Sequence, residues 1–297
     1  MHPFSHCFIS PLRYPGGKRK LANFSKLLIS NNNLLKGHYV EVYAGGASIA
    51  WSLLFEEYVQ HVHINDLSKS IYAFWKSVFE ATDDLCALIN DTPVAIKEWK
   101  IQKAIQTEPD KHPMLDLGFS TFFLNRTNWS GIITGGIIGG KKQIGKYKID
   151  ARFNKPDLIA RIQRIATYSN RVSIYNEDAS DFIRHHLKKI PKRSFVYLDP
   201  PYYAKGEDLY TNYYCHQDHM KIGKLVTEHI KQPWMVSYNN VPKIVNAYKN
   251  YRKIHYDLNY SAQKRYEGSE IIIFSKDLLL PKVNNPARVN KRMMLSA

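Results

Sequence analysis

Long apolar runs are missing from this 297-residue chain, so nothing in it reads as a helix able to span a bilayer. Cysteine is scarce. Cys7, Cys86 and Cys215 are scattered and odd in number, which argues against both a disulfide framework and a spaced set of metal ligands. A reducing compartment is the simplest setting. Met1 to Ser10 lack the charged-then-apolar order of a secretory leader, so a cytoplasmic protein without a membrane partner is expected. Acidic residues are also few. The chain has 26 Asp and Glu against 42 Lys and Arg, a formal net charge of +16. Such a deficit of acid favours a polyanionic partner, and without a membrane signal that partner is nucleic acid. Internal repeats are absent. So are the G-x-G-x-x-G fingerprint of a dinucleotide site and the long-spaced glycine, lysine and hydroxyl order of a P-loop. Hydrophobic content of 44% and charged content of 23% are those of an ordinary globular protein.

What is present alternates. A helical pattern covers about Leu21 to Ile29. Tyr39 to Tyr43 reads as a strand that stops at Ala44-Gly45-Gly46, and a helical run follows through Trp51, Leu54 and Phe55. Val62 to Ile64 is a short strand ending at Asn65-Asp66, with a helix from Ile71 to Phe79. From about Ala81 to Tyr168 helical patterns dominate, broken by the glycine-rich stretch Gly131 to Gly140 and the lysines 141, 142, 146 and 148. Alternation then resumes: strand Val172 to Tyr175, helix Ala179 to Leu187, strand Phe195 to Leu198, helix His219 to Ile230, strand Trp234 to Ser237 and helix Pro242 to Tyr248. Lys253 to Leu258 and Glu270 to Phe274 form a final strand pair, and a basic, patternless arm follows Pro281. Strand–helix alternation predicts an α/β fold with right-handed parallel connections. The expected domains are a catalytic domain from 1–80 and 169–280, an inserted helical domain from 81–168, and a basic tail from 281–297.

The densest chemistry lies in Ser194-Phe-Val-Tyr-Leu-Asp199-Pro200-Pro201-Tyr202-Tyr203. Its apolar half reads as a buried parallel strand. Its polar half falls at the carboxyl end, where open α/β sheets place their ligands. Two prolines fix φ and remove two N–H donors. Asp199 and the Pro200 carbonyl can then act as adjacent acceptors for the two N–H bonds of an amine on a flat ring, and Tyr202 offers that ring a stacking face. A bare strand followed by a proline turn is the plainer alternative.

Other segments are weaker alone. Glu41-Val-Tyr43-Ala44-Gly45-Gly46 joins a strand to a helix, where glycine lets a ligand approach the backbone; a plain tight turn would look the same. Asp66 can accept ribose hydroxyls or cap the next helix. Arg13-Tyr14-Pro-Gly-Gly17-Lys18 is a glycine-rich loop whose lysine can neutralise a carboxylate or a phosphate. Asp178 can accept from an adenine amino group or cap the helix that follows.

Taken in order, Tyr14-Pro-Gly-Gly-Lys18, Glu41-Val-Tyr-Ala-Gly-Gly46, Ile64-Asn-Asp66 and Asp199-Pro-Pro-Tyr202 resemble the motifs of the Dam-like DNA N6-adenine methyltransferases with the α-class motif order. Phe122-Phe-Leu-Asn125-Arg126-Thr-Asn128-Trp129-Ser-Gly131, Gly145 to Lys148 and Tyr238-Asn239-Asn240 also have counterparts in that family. The resemblance spans roughly Arg13 to Lys276. Val42-Tyr43 stands where the family has Pro-Phe. The apolar, glycine-rich Ile132 to Gly140 resembles a phage and prophage subgroup.

The resemblance implies a Rossmann-like seven-stranded methyltransferase sheet with helices on both faces, plus an inserted, mostly helical target-recognition domain. It implies S-adenosylmethionine as cofactor, with Tyr14 and Lys18 near its methionine part, the Ala44 to Gly46 turn beneath it, and Gly17, Glu41, Tyr43 and Asp199 also among its binding residues. Asp66 would meet its ribose and Asp178 with Ala179 its adenine, while Asp199, Pro200, Pro201 and Tyr202 hold the target base. Tyr14 or Tyr43 would face the sulfonium. The substrate would be double-stranded DNA, held by Arg126, Asn128, Trp129, Lys141, Lys142, Lys264 and Arg265. The expected setting is a monomer in a bacterial or phage-infected cell, alongside a cognate restriction endonuclease or alone. Methylation of adenine in RNA, a non-catalytic DNA binder on this fold, and a glutamine- or small-molecule-directed methyltransferase are the competing readings; the intact Asp199-Pro-Pro-Tyr202 and the +16 charge weigh against the last two.

Overall fold

The structure, a computed structural model, describes residues 9–13, 18–203, 214–260 and 266–295. By internal contacts the chain divides into two compact units. One holds Ser68–Asn176 with the described residues before Lys18, and the other holds Lys18–Leu67 and Glu177–Ala297.

Seven strands, β1 Gly37–Glu41, β2 Val59–Asn65, β3 Val172–Tyr175, β4 Ser194–Leu198, β5 Trp234–Asn239, β6 Arg252–Tyr260 and β7 Tyr266–Phe274, are ordered β3-β2-β1-β4-β5-β7-β6. β1 runs parallel to β2 and to β4, and β4 parallel to β5. β7 is antiparallel to both β5 and β6. Every residue of β4 is buried, as its unbroken apolar run requires.

In the unit holding β1, β2 and β4–β7, helix α1 (Ala22–Asn31) buries Phe24, Leu27 and Leu28, the 3.6-period face of its sequence. Helix α2 (Ser48–Phe55) buries Ile49, Ala50, Trp51, Leu53 and Leu54, leaving it almost no polar side. The expected helix over Ala179 to Leu187 is not uniform. A short α turn, α8 (Ala179–Asp181), passes into a π turn at Phe182–His186 and a 3-10 turn at Leu187–Lys189. His216–His229 and Pro242–Ala247 are regular helices, α9 and α10. The tail departs from the expected unstructured arm. It carries a 3-10 turn at Pro286–Arg288 and helix α11 at Lys291–Leu295, and Asn23 Nδ2 donates to the carbonyl of the buried Val289.

The other unit is mostly helical: α3 (Lys69–Glu80), α4 (Thr82–Asp91), α5 (Ile96–Ile105), α6 (Met114–Thr127) and α7 (Lys155–Ala166). Helix α3 buries Ile71, Phe74, Trp75 and Val78 and packs on α6. Gly118 allows the close crossing, because a Cβ there would stand 2.7 Å from the Ala73 carbonyl oxygen. Phe74 stacks on Phe122 with ring centroids 5.9 Å apart.

Candidate active site

The sheet order reverses between β1 and β4, which opens a crevice beyond their carboxyl ends. Three sequence motifs end there. β1 delivers Glu41 and the glycine turn, the neighbouring β2 delivers Asp66, and β4 delivers Asp199-Pro200-Pro201-Tyr202.

Asp199 is the hub. Ser237 Oγ donates to its Oδ1 at 2.6 Å, and Lys18 Nζ lies 3.2 Å from the same oxygen. Lys18 is also 3.5 Å from Glu270 Oε2, donates to the Tyr202 hydroxyl at 3.3 Å, and stands 5.0 Å from that ring's centre. Glu270 accepts from the Tyr202 hydroxyl at 2.9 Å and from the Tyr256 hydroxyl at 2.6 Å. Burial alone would lower the Lys18 pKa, but Asp199 and Glu270 outweigh it and hold the ammonium well above its ordinary value. Burial raises Glu270, opposed by Lys18. The side chains of Lys18 and Glu270 are 2% and 1% exposed, whereas Asp199 keeps 23%. Asp199 is therefore the member of the cluster that reaches open space. Tyr202, expected as a stacking face, is buried with its hydroxyl on Glu270.

The glycine turn is wound tightly. Gly45 has φ +46°, Ala47 has φ +48°, and the Gly45 N–H donates to Asp66 Oδ2 at 2.8 Å. The cap of α3 is supplied by Ser68, whose hydroxyl accepts from the Ile71 N–H, so Asp66 is given to the turn. Asn65 braces the neighbouring loops, donating to the Val42 and Glu177 carbonyls and accepting from the Glu177 N–H. Asp178 caps α8 by accepting from the Ser180 N–H at 2.9 Å. The Tyr43 and Tyr214 hydroxyls are 3.0 Å apart, and the charges of Asp178 and Asp66 both act on Tyr214.

These residues fit a charged, hydroxyl-rich cofactor. Among the described residues, Glu41 Oε2 is buried without a hydrogen-bond partner. Burial, with Asp199 adding to it, pushes the Glu41 carboxyl well above the usual range. A donor brought by a ligand would satisfy that atom.

The helical unit distributes the expected DNA residues unevenly. Asn128 is fully buried: its Oδ1 accepts from Trp99 Nε1 at 2.7 Å and its Nδ2 donates to the Ile132 and Ile133 carbonyls. That corrects its expected place on a DNA surface, because the side chain is buried and its polar atoms are bonded to helix α5 and to the loop. Asn125 is likewise structural, bonded to both backbone groups of Arg13 and to the Gly131 carbonyl. Arg126 donates to the Arg152 and Pro11 carbonyls, and burial with nearby Arg13, Arg161 and Arg152 lowers its pKa to about 9. Trp129, Lys141 and Lys142 are exposed. Tyr14, Gly17, Lys264 and Arg265 lie outside the described residues.

Ser237, Tyr197, Glu270 and Tyr256 escaped the sequence reading. Their one signal is a polar or phenolic group inside an apolar strand, as in Trp234-Met-Val-Ser237 and Glu270-Ile-Ile-Ile-Phe274.

A parallel sheet reversing at β1 and β4, extended by an antiparallel β7 between β5 and β6, with an acid at the switch point, belongs to the class of open α/β sheets that bind a ligand beyond the carboxyl ends of their strands. Within that class, residues 14–262 match the model of the D12 class N6 adenine-specific DNA methyltransferases, and the chain belongs to that family. Its enzymatic activity is methylation of adenine N6 in DNA, with S-adenosylmethionine as cofactor. No curated protein matches the sequence. Among solved structures, TrmK of M. capricolum in complex with S-adenosyl-homocysteine is similar at 8% identity and TM-score 0.36, over 85% of this chain and 69% of that one. A SAM-dependent methyltransferase of Agrobacterium tumefaciens is similar at 8% identity and TM-score 0.39, over 84% of this chain and 60% of that one. The rRNA methyltransferase aviRa of Streptomyces viridochromogenes gives 12% identity and TM-score 0.35, over 84% of each chain. Likeness this distant carries no information on substrate. Among the described residues no helix is long and apolar enough to cross a membrane.

Proposed function

We propose that the protein is a site-specific methyltransferase that acts on an adenine flipped out of duplex DNA, with Asp199 and the Pro200 carbonyl as acceptors for the amino group. The observation that carries this reading is the partial exposure of Asp199 among buried partners at the end of β4. In a duplex the amino group is paired and stacked, so the base must leave the helix, at a cost of a few kcal/mol. The N6 lone pair is conjugated into the ring and is a weak nucleophile. Two acceptors on its N–H bonds shift electron density onto nitrogen and stabilise the positive charge that develops there. Asp199 is then placed to receive the proton that N6 gives up. Lys18 is paired with Asp199, and Glu270 in turn holds Lys18.

When bound, S-adenosylmethionine supplies an electrophilic methyl group. The residues that would hold it are Glu41, Tyr43 and the Ala44–Gly46 turn, with Asp66 at the ribose and Asp178 and Ala179 at the adenine. Tyr14, Gly17 and Lys18 would lie at its amino-acid end. Target recognition falls to the helical segment 81–168, where exposed Trp129, Lys141 and Lys142 are the candidates. The working form is a monomer in the cytoplasm of a bacterial or phage-infected cell. A restriction endonuclease of the same recognition sequence would be its natural counterpart.

The test is transfer of labelled methyl to unmethylated duplex DNA, with the modified base and its flanking sequence read out. N6-methyladenine in one short context is expected. Asp199→Ala should lower transfer on the order of 10³-fold while cofactor binding persists. A retained rate in Asp199→Ala removes the assigned role of Asp199, and transfer to RNA alone removes the duplex reading.

A further inference from the structure

β4 and β5 run parallel with Tyr197 opposite Met235. Side chains alternate along a strand, so Tyr197 and Asp199 share one face, as do Met235 and Ser237. The pairing brings the three polar groups together, with Tyr197 and Ser237 inside the core. Ser237 is 0% exposed and Tyr197 1%. The Tyr197 hydroxyl lies 2.7 Å from Ser237 Oγ, which donates to Asp199 Oδ1 at 2.6 Å. A serine hydroxyl has one proton and a carboxylate has none to give. The chain of donation is therefore one-way: Tyr197 donates to Ser237, and Ser237 donates to Asp199. Lys18 Nζ approaches the same Oδ1. Among the described residues no donor reaches Oδ2.

This arrangement answers a problem that the prolines leave open. Pro200 and Pro201 fix the backbone beyond Asp199, but the carboxylate torsion is a broad, two-fold sp³–sp² rotor. Unrestrained, it would exchange its oxygens and present each over a wide arc, whereas an amine on a flipped base needs one acceptor at one place.

We propose that Ser237, oriented by Tyr197, is a positioning residue for methyl transfer: it occupies one oxygen of Asp199 and so reserves the other for the adenine amino group. The inference rests on the assignment of Asp199 under the proposed function. Ser237 touches neither substrate nor cofactor. It acts through Asp199, so its removal is felt in the chemical step and not in binding.

The experiment compares Ser237→Ala, Tyr197→Phe and the double variant in single-turnover transfer to duplex DNA, with KM for DNA and cofactor and the thermal midpoint measured beside it. Ser237→Ala should lose about 10- to 100-fold in rate, the scale of one hydrogen bond to a charged group, with both KM values nearly unchanged. Tyr197→Phe should lose less. The double variant should match Ser237→Ala alone, because Tyr197 acts through Ser237. A merely structural pair would lower the midpoint and give losses that multiply. Tyr197→Phe deletes a single oxygen, so it carries the test if Ser237→Ala folds poorly: its rate must fall with KM unchanged. A rate within twofold of wild type in either folded variant, or losses that multiply, overturns the proposal while Asp199 keeps its role. If the wild-type protein transfers no methyl to DNA, the functional reading falls and this inference falls with it.

Discussion

At the scale of single residues, amide side chains divide the labour in a way that sequence spacing does not announce. Asn125 and Asn128 sit three apart in the segment expected to meet DNA, yet both are buried and fully bonded. Asn125 uses its Oδ1 and Nδ2 to hold the Arg13 N–H and carbonyl at 2.7 and 2.6 Å, and it also reaches the Gly131 carbonyl. It works as a clamp on a chain segment more than 100 residues away in sequence. Asn125→Ala removes one acceptor and two donations and strands buried backbone groups. Each stranded group costs about 1–3 kcal/mol, so the variant should lose on the order of 2 kcal/mol of unfolding free energy in urea. A change below about 0.5 kcal/mol would show that water replaces the side chain and that the clamp is dispensable. Trp129, beside them, is 48% exposed and keeps the freedom to meet a base that its neighbours have given up.

At the scale of elements, β4 was legible because an apolar run ending in Asp-Pro-Pro-Tyr has one natural home, the carboxyl end of a buried strand. The glycine turn and Asp66 were legible as loops after strands. The bond between the Gly45 N–H and Asp66 joins two such loops, and only β1–β2 pairing brings it about. Ser237 and Glu270 were not legible, because their meaning depends on register. Glu270 lies opposite Asn239 on β5 and opposite Tyr256 on β6, which brings the Tyr256 hydroxyl to its carboxylate. Register is also what assembles His38, His61 and His63 across β1 and β2, with His61 beside His38 and ring centroids about 5 Å apart. Burial, then the neighbouring His61 and His38, lowers the His63 pKa to about 3. The folded chain keeps this ring neutral, whereas the unfolded chain protonates it near its ordinary value of 6.5. The stability due to a neutral His63 is therefore complete above pH 6.5 and is lost as pH falls from there toward 3, at up to about 1.4 kcal/mol per pH unit. Carboxylates titrate in the lower part of that window, so the comparison is with His63→Leu. Unfolding free energy between pH 7 and 5 should fall more steeply in wild type than in the variant. Parallel slopes would mean that the stack accommodates a proton.

At the scale of the whole molecule, the excess of 42 basic over 26 acidic residues is the property that sequence alone establishes most directly, and it sets how the protein meets its substrate. Charge of one sign guides a polyanion to the surface and holds it there without reading sequence. Part of that charge is already committed inside the fold. Lys18 is paired with Asp199 and Glu270, Lys26 with Glu56, and Arg126 is turned onto carbonyls. The exposed Lys141 and Lys142, carried on a glycine-rich loop of the helical unit, are among the cations left to release counterions from DNA. Affinity for duplex DNA should fall linearly on a plot of log K against log salt, with a slope of about −0.9 per phosphate neutralised. Replacing Lys141 and Lys142 together by glutamine should make that slope less negative by about 2 and weaken binding across unrelated DNA sequences alike, with the site preference of methylation kept. If the slope stays as in wild type, those lysines face solvent in the complex and the phosphate contacts lie elsewhere. If the slope is kept while the preferred methylation site changes, the two lysines read bases, and the loop that carries them belongs in the major groove.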